Sequence, residues 1–135
     1  IECKPISVEL TYGLERICMF VQGKKNIFEI DWNDNGVKYG DVYLQSEKEF
    51  STYNFDQANT DSLLKNFEIA EQECKNLLEQ KLPLPAYDQC LKASHIFNLL
   101  DARGVIAVAE RTGYINRIRE LAKGAGSGWL ENQER

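Results

Sequence analysis

The text Glu9-Leu10-Thr11-Tyr12-Gly13-Leu14-Glu15-Arg16 places a carboxylate, a hydroxyl, a glycine and a guanidinium within eight residues. The pattern reads as a strand that runs into a glycine turn, with an arginine on the first turn of the helix that follows. Such a junction aims backbone N–H donors, a helix N-terminus and a fixed positive fork at one point. That is chemistry for a phosphate anion. Glu9, on the strand just before, is placed to hold a cation or an ammonium group. The same residues also make an ordinary strand–helix junction with a surface arginine, and the residue types alone favour that plainer reading.

Other reactive side chains give weaker signals. Cys3, Cys18, Cys74 and Cys90 contain no C-x-x-C pair, and His95 is the only histidine that could join them. A zinc site is therefore not expected, and the plain reading is four reduced thiols packed as small hydrophobes. His95 sits within a predicted helix as a packing or capping residue. Arg111, Arg117, Arg119 and Lys123 with Tyr114 could touch nucleic acid. Glu110 and Glu120 interrupt them, so a solvated face laced with i, i+3 and i, i+4 pairs is the better reading. Asp101 and Arg103 are expected to close a helix junction by a local ion pair.

These groups must be positioned by a small set of elements. Ile1 to Leu10 alternates loosely as a strand, with Pro5 marking an edge or a bulge. Leu14, Ile17, Cys18 and Val21 share one helix face, and Gly23 is placed as the stop. Asn26 to Trp32 is a short apolar piece of open type, and Asn33-Asp34-Asn35-Gly36 is a turn. A helix is expected from Asp41 to about Phe55. Thr60 is the expected N-cap of a long helix to about Gln80, with Leu63, Phe67, Ala70, Cys74 and Leu77 as its buried stripe. Pro83 and Pro85 separate it from a helix over about Ala86–Leu100, which Asp101 to Gly104 breaks. A last helix carries Ile115, Ile118, Leu121 and Ala122, and Gly124, Gly126 and Gly128 are expected to weaken it.

The chain has 135 residues, enough for one domain with a real core. Sixteen Lys and Arg against twenty-one Asp and Glu leave a net charge of −5, which disfavours electrostatic wrapping of nucleic acid. No apolar run is long enough for a membrane helix, and no signal peptide is expected. The chain opens on Ile1 without Met, in what reads as mid-strand, so a piece of a longer protein is expected.

The string ELTYGLERICMFVQG resembles motif 3 of the class II aminoacyl-tRNA synthetases. Three further blocks narrow the likeness: YGDVYLQSEKEFSTYNF, LPLPAYDQCLKASHIFNLLDARG, and the stretch from Glu110 to Arg119. Together with ECKPISVELTYGLER they resemble the alpha subunit of bacterial heterotetrameric glycyl-tRNA synthetase over nearly the whole chain, weakening after about Lys123. The resemblance implies a mainly α fold. Residues 1–32 would be the end of a class II antiparallel-sheet catalytic domain, a short strand-turn-helix, and residues 33–135 a helical C-terminal domain. It implies that Arg16 clamps the ATP phosphates, that Glu9 recognises the glycine amino group and that Thr11 lines the glycine pocket. Gly13 would let the backbone approach the nucleotide, and Glu2 would help to hold ATP or its Mg²⁺. No certain metal ligand follows. The implied reaction is ATP-dependent activation of glycine and transfer to tRNA(Gly), in a cytoplasmic assembly of two alpha and two beta chains. Motifs 1 and 2 of that class are not found, so the piece alone is expected to be inactive. The rival expectation is a helical protein–protein interaction module without a working site. An alanyl-type relative is a broader alternative that the helical blocks argue against.

Overall fold

The structure is a computed structural model that describes residues 1–133. It is mainly helical: α1 (Leu14–Val21), a 3-10 turn (Ile27–Glu29), α2 (Tyr39–Thr52), a π turn (Tyr53–Gln57), α3 (Thr60–Glu79), α4 (Pro83–Ala102) and α5 (Val108–Gln133). The chain falls into two compact units, one of residues 2–54 and one of Ile1 with residues 55 onward. The division at 32/33 expected from the resemblance concerns the origin of the segments, a separate matter from compactness.

No strand is present among the described residues, so the strand expected over residues 1–10 is absent. A strand is stable only when its N–H and C=O groups find a ladder partner, and no described segment supplies one. Residues 1–13 are exposed throughout. No turn is formed over Thr11–Gly13 either, where Gly13 is extended, but the helix expected to follow is present.

In the first unit, α1 ends as expected. Gly23 adopts φ +63, its N–H donates to the Phe20 carbonyl at 3.2 Å, and Lys24 N–H donates to Met19 at 2.8 Å. That is a left-handed cap satisfying two orphan carbonyls. The Gln22 side chain then imitates a strand partner. Its amide donates to the Asp31 carbonyl at 3.1 Å and accepts from Asp31 N–H at 2.7 Å. The Asn33–Gly36 turn is confirmed: Asn33 Oδ1 accepts from Asn35 N–H at 3.0 Å, Gly36 takes φ +85, and Asp31 bridges Lys38 across it. Helix α2 starts two residues before the expected Asp41. Its Gly40 is required by contact, because a Cβ there would stand 2.9 Å from the Phe28 carbonyl oxygen.

The second unit is a three-helix bundle. Asn59, not Thr60, caps α3, accepting from Ser62 N–H at 2.9 Å. Leu63, Phe67, Ala70 and Cys74 of α3 are buried as their spacing predicts. They meet Ala86, Cys90, Ala93, Phe97 and Leu100 of α4 in one core. Pro83 opens α4 at its first turn, where its missing N–H costs nothing, so the helix begins three residues before the expected Ala86. Gly104 ends it at φ +67. The expected ion pair between Asp101 and Arg103 does not form. Asp101 holds Arg111 at 3.1 Å, and Arg103 donates to the Ala58 carbonyl at 2.9 Å.

Helix α5 runs unbroken through Gly124, Gly126 and Gly128, against expectation. Low helix propensity is overridden by packing. A Cβ at Gly124 would stand 2.8 Å from Leu78 Cδ1, and one at Gly128 would stand 3.5 Å from Pro83 Cβ. The missing side chains let α5 lie close to its neighbours.

One ion pair ties α3 to α5. Glu71 accepts from both Arg117 Nε, at 3.1 Å, and Arg117 Nη2, and also holds Lys75 at 3.1 Å. The guanidinium lies 4.6 Å from the Phe67 ring centroid and 4.9 Å from that of Tyr114. Tyr114 in turn stacks on Phe97 of α4. The Arg117 hydrogen bonds, opposed by burial, hold the Glu71 carboxyl below its ordinary range. Its side chain is 11% exposed and that of Arg117 38%.

Two stability predictions follow from these contacts. Glu71→Gln should cost about 1–2 kcal/mol at neutral pH, since a charged hydrogen-bonded pair is lost at a partly solvated site. Because the folded pKa is depressed, the wild-type advantage is complete above the ordinary glutamate range. It fades as pH falls through the folded value, so urea midpoints of the two proteins should converge in acid. Lys81, by contrast, takes φ +61 at the end of α3, where a lysine Cβ is strained. Lys81→Gly should raise stability by about 0.5–1 kcal/mol, the relief of strain less the entropic cost of glycine. An unchanged or lower urea midpoint would contradict this.

Candidate functional site

The local text from Glu9 to Arg16 leads onto the start of α1. Gly13 is its N-cap, at φ −80 and ψ 100, and no side chain caps the first turn. The first-turn amides are thus left for water or an anion. Arg16 stands on that turn and folds back over the glycine, so that a Cβ at Gly13 would lie 3.5 Å from Arg16 Cδ. Among the described residues Arg16 makes no ion pair and no side-chain hydrogen bond, and it is exposed. Its charge is not consumed by a carboxylate of any described residue.

Thr11 donates its hydroxyl hydrogen bond to the Glu9 carboxylate, which brings these two candidates together without a strand. Both are exposed. Glu2 stands apart from them, paired with Lys4 at 3.0 Å in solvent. Neither Glu9 nor Arg16 lines the cavity nearest in sequence, a recess of about 290 Å³ formed by Leu14, Glu15, Cys18, Ile30, Asp31, Trp32 and Tyr39. This recess went unnoticed in the sequence because the Asn26–Trp32 segment carried no clear periodicity. Its aromatic wall continues from Trp32 through Tyr39 to Tyr43, with ring centroids 4.7–6.0 Å apart. Hydrogen bonds from Lys38 and Lys24 hold the Asp31 carboxyl below its ordinary range. Burial among these groups, with the Glu15 carboxylate close by, pushes the Tyr39 hydroxyl up.

The basic group on α5 is only partly a surface. Arg117 and Arg111 are tied to Glu71 and Asp101, whereas Arg119 and Lys123 are exposed and make no ion pair among the described residues. No three His, Cys, Asp or Glu residues gather as a metal site among the described residues. No described helix is long and apolar enough to cross a membrane.

The chain also matches a known family. The family model described as glycyl-tRNA synthetase alpha subunit aligns with residues 1–134.

The cysteines divide in a way the sequence did not show. Cys74 and Cys90 are buried, and burial pushes both thiols up, while Cys3 and Cys18 are exposed. A thiol reagent such as DTNB should therefore label Cys3 and Cys18 in the native protein, and Cys74 and Cys90 only after unfolding. Mass mapping of the labelled peptides checks this, and fast native labelling at Cys74 would contradict the packing of α3 on α4.

Proposed function

The chain belongs to the glycyl-tRNA synthetase alpha subunit family, and from that premise we propose that it supplies the ATP clamp and a helical assembly domain to a glycine–tRNA ligase. The coarse role follows from membership: part of a tRNA synthetase, working with tRNA and a partner subunit. The finer reading is a class II enzyme that acts in the cytoplasm as two alpha and two beta chains. It takes glycine, ATP with Mg²⁺, and tRNA(Gly).

The reaction is an in-line displacement. A glycine carboxylate oxygen attacks the ATP α-phosphorus, pyrophosphate leaves, and the glycyl group then passes to the tRNA 3′ end. Such chemistry is mostly positioning and charge stabilisation. Arg16 is suited to clamp the phosphates, since a guanidinium is always charged and offers a planar fork of donors. Gly13 contributes an uncapped helix start and room for the nucleotide. The Glu9 carboxylate receives the glycine ammonium, and Thr11 orients that carboxylate while lining the pocket. Glu2 is the weakest fit, because Lys4 already neutralises it. With no cluster of metal ligands among the described residues, Mg²⁺ is treated as arriving with ATP, as part of the substrate. Motifs 1 and 2 are not found in these 135 residues, so the reading assigns this chain a clamp and a scaffold, not the whole reaction.

The observation that carries the reading is the family match across residues 1–134 together with an Arg16 that makes no ion pair among the described residues and stands over an uncapped glycine start. The rival interaction-module reading draws on the fact that Glu9 and Arg16 line no common cavity among those described. Glycine-dependent ATP–pyrophosphate exchange by the assembled alpha–beta synthetase separates the two. Arg16→Ala should lower exchange about 10²–10³-fold, and Arg16→Lys should restore only part of it, keeping the charge and losing the fork. Exchange at the wild-type rate in Arg16→Ala would remove the clamp and leave the interaction module.

A further inference from the structure

Helix α1 carries Arg16 near its start and is capped at its far end by Gln22. None of its residues is buried, and only Met19 is partly so. Toward the segment that follows, Leu14, Glu15 and Cys18 face Ile30, Trp32 and Tyr39 across a recess of about 290 Å³. Side-chain packing therefore leaves the tilt of α1 loosely set. Polar contacts at its C-terminal end hold more closely. The Gln22 carboxamide donates to the Asp31 carbonyl at 3.1 Å and accepts from the Asp31 N–H at 2.7 Å. Lys24, just past the cap, adds an ion pair to the Asp31 carboxylate at 3.0 Å.

The backbone pairing around Asp31 explains why it can be held in this way. Trp32 N–H donates to the Val37 carbonyl at 2.8 Å, and Tyr39 N–H donates to the Ile30 carbonyl at 2.8 Å. These bonds flank the antiparallel bridge of Asp31 with Lys38, so the two residues form a non-hydrogen-bonded pair. In such a pair the peptide groups point away from the partner segment. The Asp31 N–H and C=O would otherwise face solvent, and one carboxamide satisfies both. Two bonds from one planar group fix direction as well as distance. The Asp31 carboxylate is partly exposed and divided between Lys24 and Lys38, so its ion pairs fix less.

We infer that Gln22 is a positioning residue for Arg16: by clipping the end of α1 to Asp31, it sets where the helix start and its guanidinium point. The inference rests on the reading of Arg16 as the ATP phosphate clamp. Gln22 follows Arg16 by six residues, a lever of about 9 Å at the helical rise. A tilt of about 10° about the clip would move the Arg16 backbone by about 1.5 Å, enough to weaken a clamp that works by placement.

The test is glycine-dependent ATP–pyrophosphate exchange by the assembled alpha–beta synthetase, with kcat and the KM for each substrate measured. Gln22→Ala should raise the KM for ATP about tenfold, as misplacement of a positioned group does. The KM for glycine should stay within about twofold of wild type. Gln22→Met keeps the length of the side chain and loses both hydrogen bonds, so it should match Gln22→Ala. In an Arg16→Ala background, Gln22→Ala should cost no more than about twofold further, because the group it positions is already gone. An unchanged KM for ATP in Gln22→Ala would overturn the inference. So would a fall in kcat with both KM values unchanged, which marks only a loss of folded enzyme. Losses that multiply in the double variant, or wild-type behaviour of Gln22→Met, would overturn it as well. If any of these occurs while Arg16→Ala still lowers exchange, the clamp stands and Gln22 does not position it. If Arg16→Ala exchanges at the wild-type rate, the clamp reading itself falls, and the positioning role falls with it.

Discussion

The bundle of α3, α4 and α5 is organised by the seating of one guanidinium. Arg117 packs against the rings of both Phe67 and Tyr114, which meet each other edge to face, and turns its Nε–Nη2 edge to Glu71. A carboxylate buried as Glu71 is would be costly without its partner, whereas the half-buried guanidinium keeps some contact with solvent. The Glu71 carboxylate is satisfied only when α3 and α5 are in register. The pair thus acts less as a source of net stability than as a selector of one packing among many. Tyr114 passes the constraint to α4 through Phe97, so all three helices share the same aromatic cluster.

Close approach does the rest. Glycines usually weaken a helix by exposing backbone and adding unfolded-state entropy. In α5 their absent side chains leave space that Leu78 and Pro83 use. Two of the three helix ends of this pattern, Gly23 and Gly104, close on a glycine in the left-handed region. The third closes on Lys81, held there by hydrogen bonds from Lys81 N–H to the Leu78 carbonyl at 3.0 Å and from Leu82 N–H to Leu77 at 2.9 Å. The cap geometry recurs with or without glycine because each cap satisfies carbonyls that would otherwise be orphaned.

Local features were legible in the sequence for this reason. The stripe Leu63–Phe67–Ala70–Cys74 follows the helical period, and the Asn-rich turn before Gly36 follows from side chains that bond their own backbone. Gly13 and Arg16 could be placed on a helix start because the relevant spacing is three residues. The pair Glu71–Arg117 could not, since its members lie 46 residues apart and no periodicity links them. The first ten residues show the opposite failure. Their alternation suits a strand, but a strand is a property of two segments, and no described segment pairs with them. For α5, propensity pointed one way and packing the other, and packing prevailed.

The arginines connect fold to function. Arg103 is bonded to the Ala58 carbonyl, Arg111 to Asp101 and Arg117 to Glu71, so each locks one segment of the bundle to another. Their charges are neutralised or hydrogen-bonded within the molecule and are poorly available to an external anion. Arg16 and Arg119 are exposed without such partners among the described residues. A guanidinium cannot discharge itself by losing a proton, so an exposed one keeps its full attraction for phosphate or carboxylate. Sorting the arginines by their internal partners therefore separates structural cations from recognition cations without reference to motif. It singles out Arg16 over an uncapped helix start and Arg119 on the exposed side of α5. The first suits a small polyanion held by backbone amides.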